Sequence, residues 1–445
     1  MSLVSTQYGI FLAAVCLLCY ALPARIAPTL LLIASLGFYA MGNLAHLPVL
    51  AAVILASYVG GRILKRRRSA GILWICIVAT AAPLLWFKFV RTDELAPGAS
   101  FFTLAAIGYL VDAFRGEAPE ASLPVHSLFV CFFPAVLAGP IERAGHLIPQ
   151  LIKREPAQVS RGLFQIMNGV VIKCVVADNL ASFVNGVYAD LAHQTPGNAL
   201  VACYLYTLQI YCDFLGYTLI ALGSAALVGI SLIRNFDHPY FATNIQSFWS
   251  RWHISLTTWL RDYVYFSMGG LRRPVNRYRN LLVTWLITGL WHGVGITYVI
   301  WGAMHGVALS VYHLFRSSRR KRPLVTKAWM GIPVRLAAWL VTFHFVVLSW
   351  IPFRAASWAQ ARMMFGKVFQ AVTALPAFAA PDSSLVFLLR VAVIFGALEI
   401  LDWFVGGEDV FLKLPAVCQA AWLALLFCAT YLAPLSNITF VYVQF

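Results

Sequence analysis

Charge is what this chain lacks most. Only 17 of its 445 residues are Asp or Glu, and charged residues of all kinds make up 11%, against roughly a quarter in a soluble globular protein. With 61% hydrophobic residues it could not cover its surface with polar groups in water. That excludes a soluble fold. Lipid as solvent admits only helices or closed barrels, because each backbone N–H and C=O must find its partner within the protein. Apolar/polar alternation with a period of two is also missing, which argues for helices and against a barrel. Other absences narrow the chemistry. There is no G-x-S-x-G elbow and no Gly-rich phosphate loop, so neither a serine hydrolase nor a nucleotide-driven pump has support. No H-E-x-x-H pattern and no carboxylate at ligand spacing accompanies the histidines, which argues against a metal. Cys16 and Cys19 form a C-x-x-C with no second pair, inside an apolar run where cysteine behaves as a small hydrophobe. The first apolar run has no basic flank or small-residue cleavage site and reads as a span rather than a signal peptide. Without repeats, low-complexity tracts or long linkers, 1–445 reads as one membrane domain.

What is present is a series of apolar runs, at 7–22, 28–42, 46–60, 71–90, 100–114, 125–140, 163–177, 179–193, 198–231, 281–297, 297–315, 333–352, 384–405 and 415–433. A perpendicular helix needs ~20 residues to span the bilayer, so the runs at 100–114 and 125–140 are expected to be re-entrant or to stop partway. The run at 198–231 is expected to be a tilted helix or a helix pair. The expectation is an all-α polytopic protein with about eleven crossings plus re-entrant and interfacial helices. The net charge of +16 gathers in short loops: Arg62–Arg68, Lys153-Arg154 with Arg161, Arg272-Arg273 with Arg277 and Arg279, and Arg319–Arg322. The positive-inside rule reads these as cytoplasmic, and places the N-terminus outside if the first three runs all cross. None is long or aromatic enough to be a nucleic-acid module.

The interval 235–280 is too polar for a lipid-facing span and too aromatic for an ordinary loop. Read as a continuous helix, Phe248–Tyr263 sets His253, Thr257 and Arg261 near one face, and Arg251, Ser255 and Trp259 on another. A histidine and a guanidinium would then look into one cavity lined by tryptophans such as Trp252. An interfacial helix with an aromatic belt and snorkelling arginines explains the same pattern. His292, in Thr288-Gly289-Leu290-Trp291-His292-Gly293, lies near the end of an apolar run. An ionisable residue there is a functional-site hypothesis by default, and the flanking glycines permit close approach. A neutral imidazole is what a general base requires. His305, in Trp301–Gly306, is explained as well by helix packing. Asp213 stands inside an apolar stretch and needs a cation or a proton; Arg251 and Arg261 are the candidates for its partner.

Taken in order, these motifs resemble the membrane-bound O-acyltransferases, and within them the bacterial alginate-acetylation branch. The matching segments are Phe132–Arg143, Gln209–Tyr217, Asn235–Tyr240, Arg251–Asp262, Trp291-His292-Gly293, Trp301–Gly306 and the closing Phe440–Phe445, with the core motifs between 125 and 306. The resemblance implies a ring of helices around a central tunnel. It implies that His292 is the family's essential histidine and His253 the second histidine of the bacterial branch. Arg251, Arg261, Asp262, Asp213, Trp291, Trp252, Asn244 and His305 are then expected to bind substrate or support the site. No bound cofactor is implied. The co-substrate is an acyl thioester, acetyl-CoA or an acyl carrier, entering from the cytoplasm of a bacterium with this protein in its inner membrane. The acyl group goes on to an extracytoplasmic glycan hydroxyl, directly or through a periplasmic acetyltransferase partner.

The chain departs from the alginate pattern at Gly216-Tyr217-Thr218-Leu219, where an acid usually follows Gly-Tyr-Ser. It is also shorter than typical alginate-type members. The acceptor therefore stays open. D-alanyl transfer from a carrier docked on Arg272–Arg279, acylation of a lipid, and a transporter or flippase without chemistry are the alternatives.

Overall fold

The structure is a computed structural model that describes residues 3–42, 44–90, 96–269, 276–319, 331–374 and 383–432. Among them every regular element is helical. Two apolar helices, α1 (Thr6–Ala21) and α2 (Ala27–Gly42), lead into α3 (Leu47–Arg66) and α4 (Ala70–Phe89). α5 (Ala99–Arg115) starts after Gly98, whose φ of 75° is left-handed, and is buried along nearly its whole length. α6 (Leu123–Cys131) stops after nine residues, and α7 (Ala144–Ile152) is as short. The expected separate spans at 163–177 and 179–193 are one continuous rod: α8 (Val159–Val171), a π-helical stretch at Ile172–Ala177, and α9 (Asp178–Ala189). The polar Lys173, Asp178 and Asn179 split the hydropathy signal there without breaking the backbone.

α10 (Pro196–Leu227) is a single helix of 32 residues rather than a pair. At 1.5 Å per residue it is about 48 Å long, well beyond the ~30 Å hydrocarbon layer. It is a central pillar rather than a lipid-facing one, with 83% of its most apolar window buried in protein. It lies against α8 through glycines spaced by seven. A Cβ on Gly169 would stand 2.6 Å from the Gly216 carbonyl, and one on Gly223 would stand 2.5 Å from that of Gly162. Only backbones without side chains can approach so closely, which is how membrane helices gain contact where hydrophobicity gives none.

The interval 235–265 is not the single helix that its periodicity suggests. It contains a 3₁₀ turn at Pro239–Phe241, α11 (Ile245–Trp249), α12 (Ile254–Trp259) and a π-helical stretch at Leu260–Tyr265. Beyond it come α13 (Arg277–His292), α14 (Ile296–Arg319), α15 (Gly331–Arg354), α16 (Trp358–Thr373), α17 (Ser383–Val405), α18 (Gly407–Lys413) and α19 (Ala416–Leu432). Among the described residues, five helical rods are by length and composition able to cross a membrane: Leu44–Arg66, Ala70–Phe89, Val159–Ala189, Pro196–Leu227 and Gly331–Arg354. α1, α2 and part of α19 are apolar but shorter. The about eleven crossings expected from the fourteen apolar runs exceed these five membrane-length rods among the described residues. Several of the runs are instead short or buried helices packed inside the protein. The clusters at Arg272-Arg273 and Arg320–Arg322 and the closing Phe440–Phe445 lie outside the described residues.

Candidate active site

His253 is presented by a break in the chain. Between α11 and α12 the backbone turns, and His253 takes φ 42° and ψ 55°, a left-handed conformation that costs a non-glycine residue roughly 1–3 kcal/mol. Among the described residues only His238, at φ 46°, shares it outside glycine. The turn is laced to the preceding loop. Ile254 N–H donates to the Asn235 carbonyl at 2.9 Å, and Asp237 N–H donates to the Arg251 carbonyl at 3.0 Å. Held so, the His253 ring is 1% exposed. It stands edge-on to Phe214, with centroids 4.7 Å apart, and 6.2 Å from the indole of Trp291.

His292 is the last residue of α13. Its ring is boxed by Trp291 at 4.7 Å, Trp301 at 5.1 Å and Phe353 at 5.0 Å, all edge-to-face. Trp291 thus touches both imidazoles, and this is where the two histidines meet. The box depends on how α13 meets α14. A Cβ on Gly289 would stand 2.3 Å from the Tyr298 carbonyl, and one on Gly302 would stand 2.3 Å from that of Trp285. Two residues that sequence reasoning passed over complete the surroundings. Phe101 packs edge-on to Trp291 at 5.5 Å. Lys88 donates from Nζ to the Trp291 carbonyl and lies 5.8 Å from that indole. As a lone cation inside the apolar run 71–90, Lys88 carried the signal that should have marked it. The buried Nε1 atoms of Trp291 and Trp301 have no hydrogen-bond partner among the described residues, so the box offers two indole donors beside His292.

The other expected site residues lie apart from this pair. His305 is fully buried; its Nδ1 accepts from Trp249 Nε1 at 3.1 Å, and its Nε2 faces Ser349 Oγ at 3.1 Å. Indole is only a donor, so Nδ1 is unprotonated, and Nε2–H donates to Ser349. His305 therefore pins α11 and α14 to α15. Trp252 is buried in an aromatic stack, 5.1 Å from Phe236 and 5.1 Å from Trp350. Asn244 caps α11 by accepting from Ser247 N–H at 2.8 Å. Asp213 is not paired with Arg251 or Arg261. Lys173 bridges it at 2.6 Å and Asp178 at 2.5 Å, across α10 and the π-helical stretch. The chain break explains the difference. With residues 248–263 no longer one helix, the Arg251 guanidinium turns to the ring of Trp403 at 5.2 Å, and Arg261 bonds its neighbour Asp262 at 2.7 Å.

Asp262 belongs to a second cluster. Arg143 pairs with it at 3.2 Å and lies 4.3 Å from the centroid of Tyr263. Arg115 stands 5.5 Å from the same ring and donates to the Asp262 carbonyl at 3.0 Å. Tyr263 in turn donates to Asp112 at 2.8 Å. Three guanidiniums against two carboxylates leave the cluster cationic. Further off, His238 sits between Glu399 at 3.1 Å and Asp402 at 3.3 Å. Hydrogen bonds to those carboxylates push its pKa up to about 9, so both ring nitrogens donate and α17 is tied to the loop before α11. Among the described residues no group of three His, Cys, Asp or Glu side chains gathers at ligand distance.

The sequence has known relatives. A model of the membrane-bound O-acyltransferase family matches residues 117–351, a span that includes both histidines. The chain is 36% identical to a probable alginate O-acetylase of Pseudomonas fluorescens over 355 residues, 76% of this chain and 70% of that one. It is 33% identical to a peptidoglycan O-acetyltransferase of Helicobacter pylori, covering 73% and 70%. A teichoic acid D-alanyltransferase of Bacillus subtilis is 31% identical, covering 58% and 68%. With its membrane-length helices and buried histidine pair, the chain is a multi-pass enzyme of the bacterial inner membrane and belongs to the membrane-bound O-acyltransferase family.

Proposed function

We propose that this acyltransferase moves an acyl group, acetyl by preference, from a cytoplasmic thioester to a hydroxyl of an extracytoplasmic glycan. The observation that carries the reading is the meeting of two buried histidines, from different elements, on the single indole of Trp291. Similarity to enzymes named for alginate and peptidoglycan O-acetylation supports an acetyl donor and a polysaccharide acceptor. The finer architecture proposed is a ring of helices, about eleven of them crossing, around a tunnel that runs past His292. The end of α13 at His292 supports such a thin centre.

In the proposed reaction the acceptor hydroxyl attacks the thioester carbonyl while neutral His292 takes its proton. The new C–O bond forms, the C–S bond breaks, and the proton is returned to the departing thiolate. Such a base contributes ~10²–10⁴-fold. The imidazole of His253 orients His292 or donates to the oxyanion. The indole N–H groups of Trp291 and Trp301 and the Lys88 ammonium are further donors for the negative charge that develops there. On the cytoplasmic side, Arg115, Arg143 and Arg261 are proposed to receive the phosphates of the thioester donor. This shifts the donor-binding role from Arg251, which the structure turns toward Trp403. The extracytoplasmic acceptor is reached directly or through a periplasmic acetyltransferase partner.

D-alanyl transfer is the second reading, favoured by the 31% identity to the Bacillus enzyme; it keeps the histidine chemistry and replaces acetyl-CoA with a carrier-borne thioester. The test is thiol release by the purified protein in proteoliposomes, supplied with acetyl-CoA on one side and alginate or peptidoglycan oligosaccharides on the other. Acetyl-CoA consumption that depends on the oligosaccharide is expected. Consumption only of a D-alanyl carrier thioester would favour the second reading.

A further inference from the structure

Histidine is an unusual residue to find where His253 stands. It is the N-cap of α12, a position that favours Ser, Thr, Asn or Asp because a short side chain there can accept from the free N–H groups of the first turn. The His253 side chain makes no such bond. It packs against Phe214 and Trp291 instead. The capping is supplied from elsewhere in the chain. Asn235 accepts from Ile254 N–H with its carbonyl at 2.9 Å and from Ser255 N–H with Oδ1 at 3.3 Å. The same Oδ1 takes the Ser255 hydroxyl proton at 2.6 Å, and that hydroxyl accepts from Ile141 N–H at 3.0 Å. The Asn235 amide donates to Thr218 Oγ1 on α10 at 3.4 Å. Asn235 and Ser255 are both fully buried.

We propose that Asn235 is the positioning residue for His253. It caps α12 from outside the helix, and so holds the left-handed turn while leaving the imidazole to the site. A strained backbone persists only where its surroundings over-determine it, and every bond that fixes residues 254 and 255 to the loop passes through Asn235. Ser255 extends the same support to the Gly139–Arg143 segment through Ile141. The inference rests on the reading of His253 as the partner of His292.

The test is a double-mutant cycle on acetyl-CoA turnover in proteoliposomes, because a residue acting only through another has no effect once that other is gone. Asn235→Ala is expected to lower kcat about 10²-fold, the cost of a displacement near 1 Å at a reacting group, and to leave the KM for acetyl-CoA unchanged. In a His253→Ala background the same substitution is expected to lower kcat no further. Should Asn235→Ala fail to fold, Ser255→Ala removes only the hydroxyl link and is expected to show the same coupling with a smaller loss. Equal fractional losses with and without His253 would mark Asn235 as a general structural residue and overturn the proposal. A His253→Ala enzyme with wild-type turnover would overturn the reading of His253 itself, and the positioning role with it.

Discussion

The close crossing of α13 and α14 makes Gly302, a residue without a side chain, decisive for the site. A Cβ added at Gly302 would lie 2.3 Å from the Trp285 carbonyl, where ordinary contact begins at 3.4 Å. The obstacle is main-chain oxygen inside a helix and cannot rotate aside, so Gly302→Ala must part the helices by roughly 1 Å. Trp301, next in sequence to Gly302, walls His292 from α14, while His292 rides on α13. Their separation is what the substitution changes. Overpacking costs ~1–3 kcal/mol, and replacing a helical glycine by alanine returns about 1 kcal/mol, so the net loss of stability should be ~0–2 kcal/mol, a few degrees in melting temperature. A misplacement of ~1 Å at a reacting group costs about 10²-fold in rate. Gly302→Ala is therefore expected to lower kcat for acetyl-CoA about 10²-fold in a protein that melts near the wild type. Gly9→Ala and Gly37→Ala, where a Cβ meets nothing within 4 Å, should leave kcat unchanged. Wild-type kcat in a folded Gly302→Ala protein would show that the helix pair does not set the position of His292.

Three further outcomes follow from the charged groups. Lys173→Met leaves Asp178 and Asp213 together without their cation; breaking a buried pair costs ~3–5 kcal/mol, so the melting temperature in detergent should fall sharply, and adding Asp213→Asn should recover part of the loss. Arg143→Ala removes a guanidinium proposed to meet the donor phosphates; the KM for acetyl-CoA should rise, most at low salt, with kcat preserved, and a salt-independent KM would refute the role. The raised pKa of His238, about 9 against an ordinary 6.5, means that its ion pairs with Glu399 and Asp402 stabilise the fold fully below pH 6.5 and are lost as pH rises through about 9. Thermal unfolding should show this loss in the wild type and not in His238→Gln.

The sequence made some of this legible and hid the rest for physical reasons. His292 stood out because a glycine-flanked histidine in an apolar run has few bland explanations. His253 was visible as a residue but not as a turn. Periodicity through Phe248–Tyr263 is helical, and what breaks it is a long-range cap from Asn235, which no local pattern carries. The same break decides the arginines: on a continuous helix Arg261 shares a face with His253, whereas in the fold it belongs with Arg115, Arg143 and Tyr263. The need of Asp213 for a cation was legible from burial. That the cation is Lys173 depends on the glycine-mediated approach of α8 to α10, a property of two segments together. Hydropathy alone does not separate a buried helix from a lipid-facing one, because the two are equally apolar. Lys88, the one charged residue of α4 and placed in its last turn, was passed over within such a run.

The most direct test of the account is the turnover of His292→Ala beside that of the wild type, measured as thiol release from acetyl-CoA in proteoliposomes with an oligosaccharide acceptor present. If His292 takes the acceptor proton, kcat should fall ~10²–10⁴-fold in a protein that keeps its wild-type melting temperature. Undiminished turnover in that folded variant would contradict the assignment of His292 as the catalytic base.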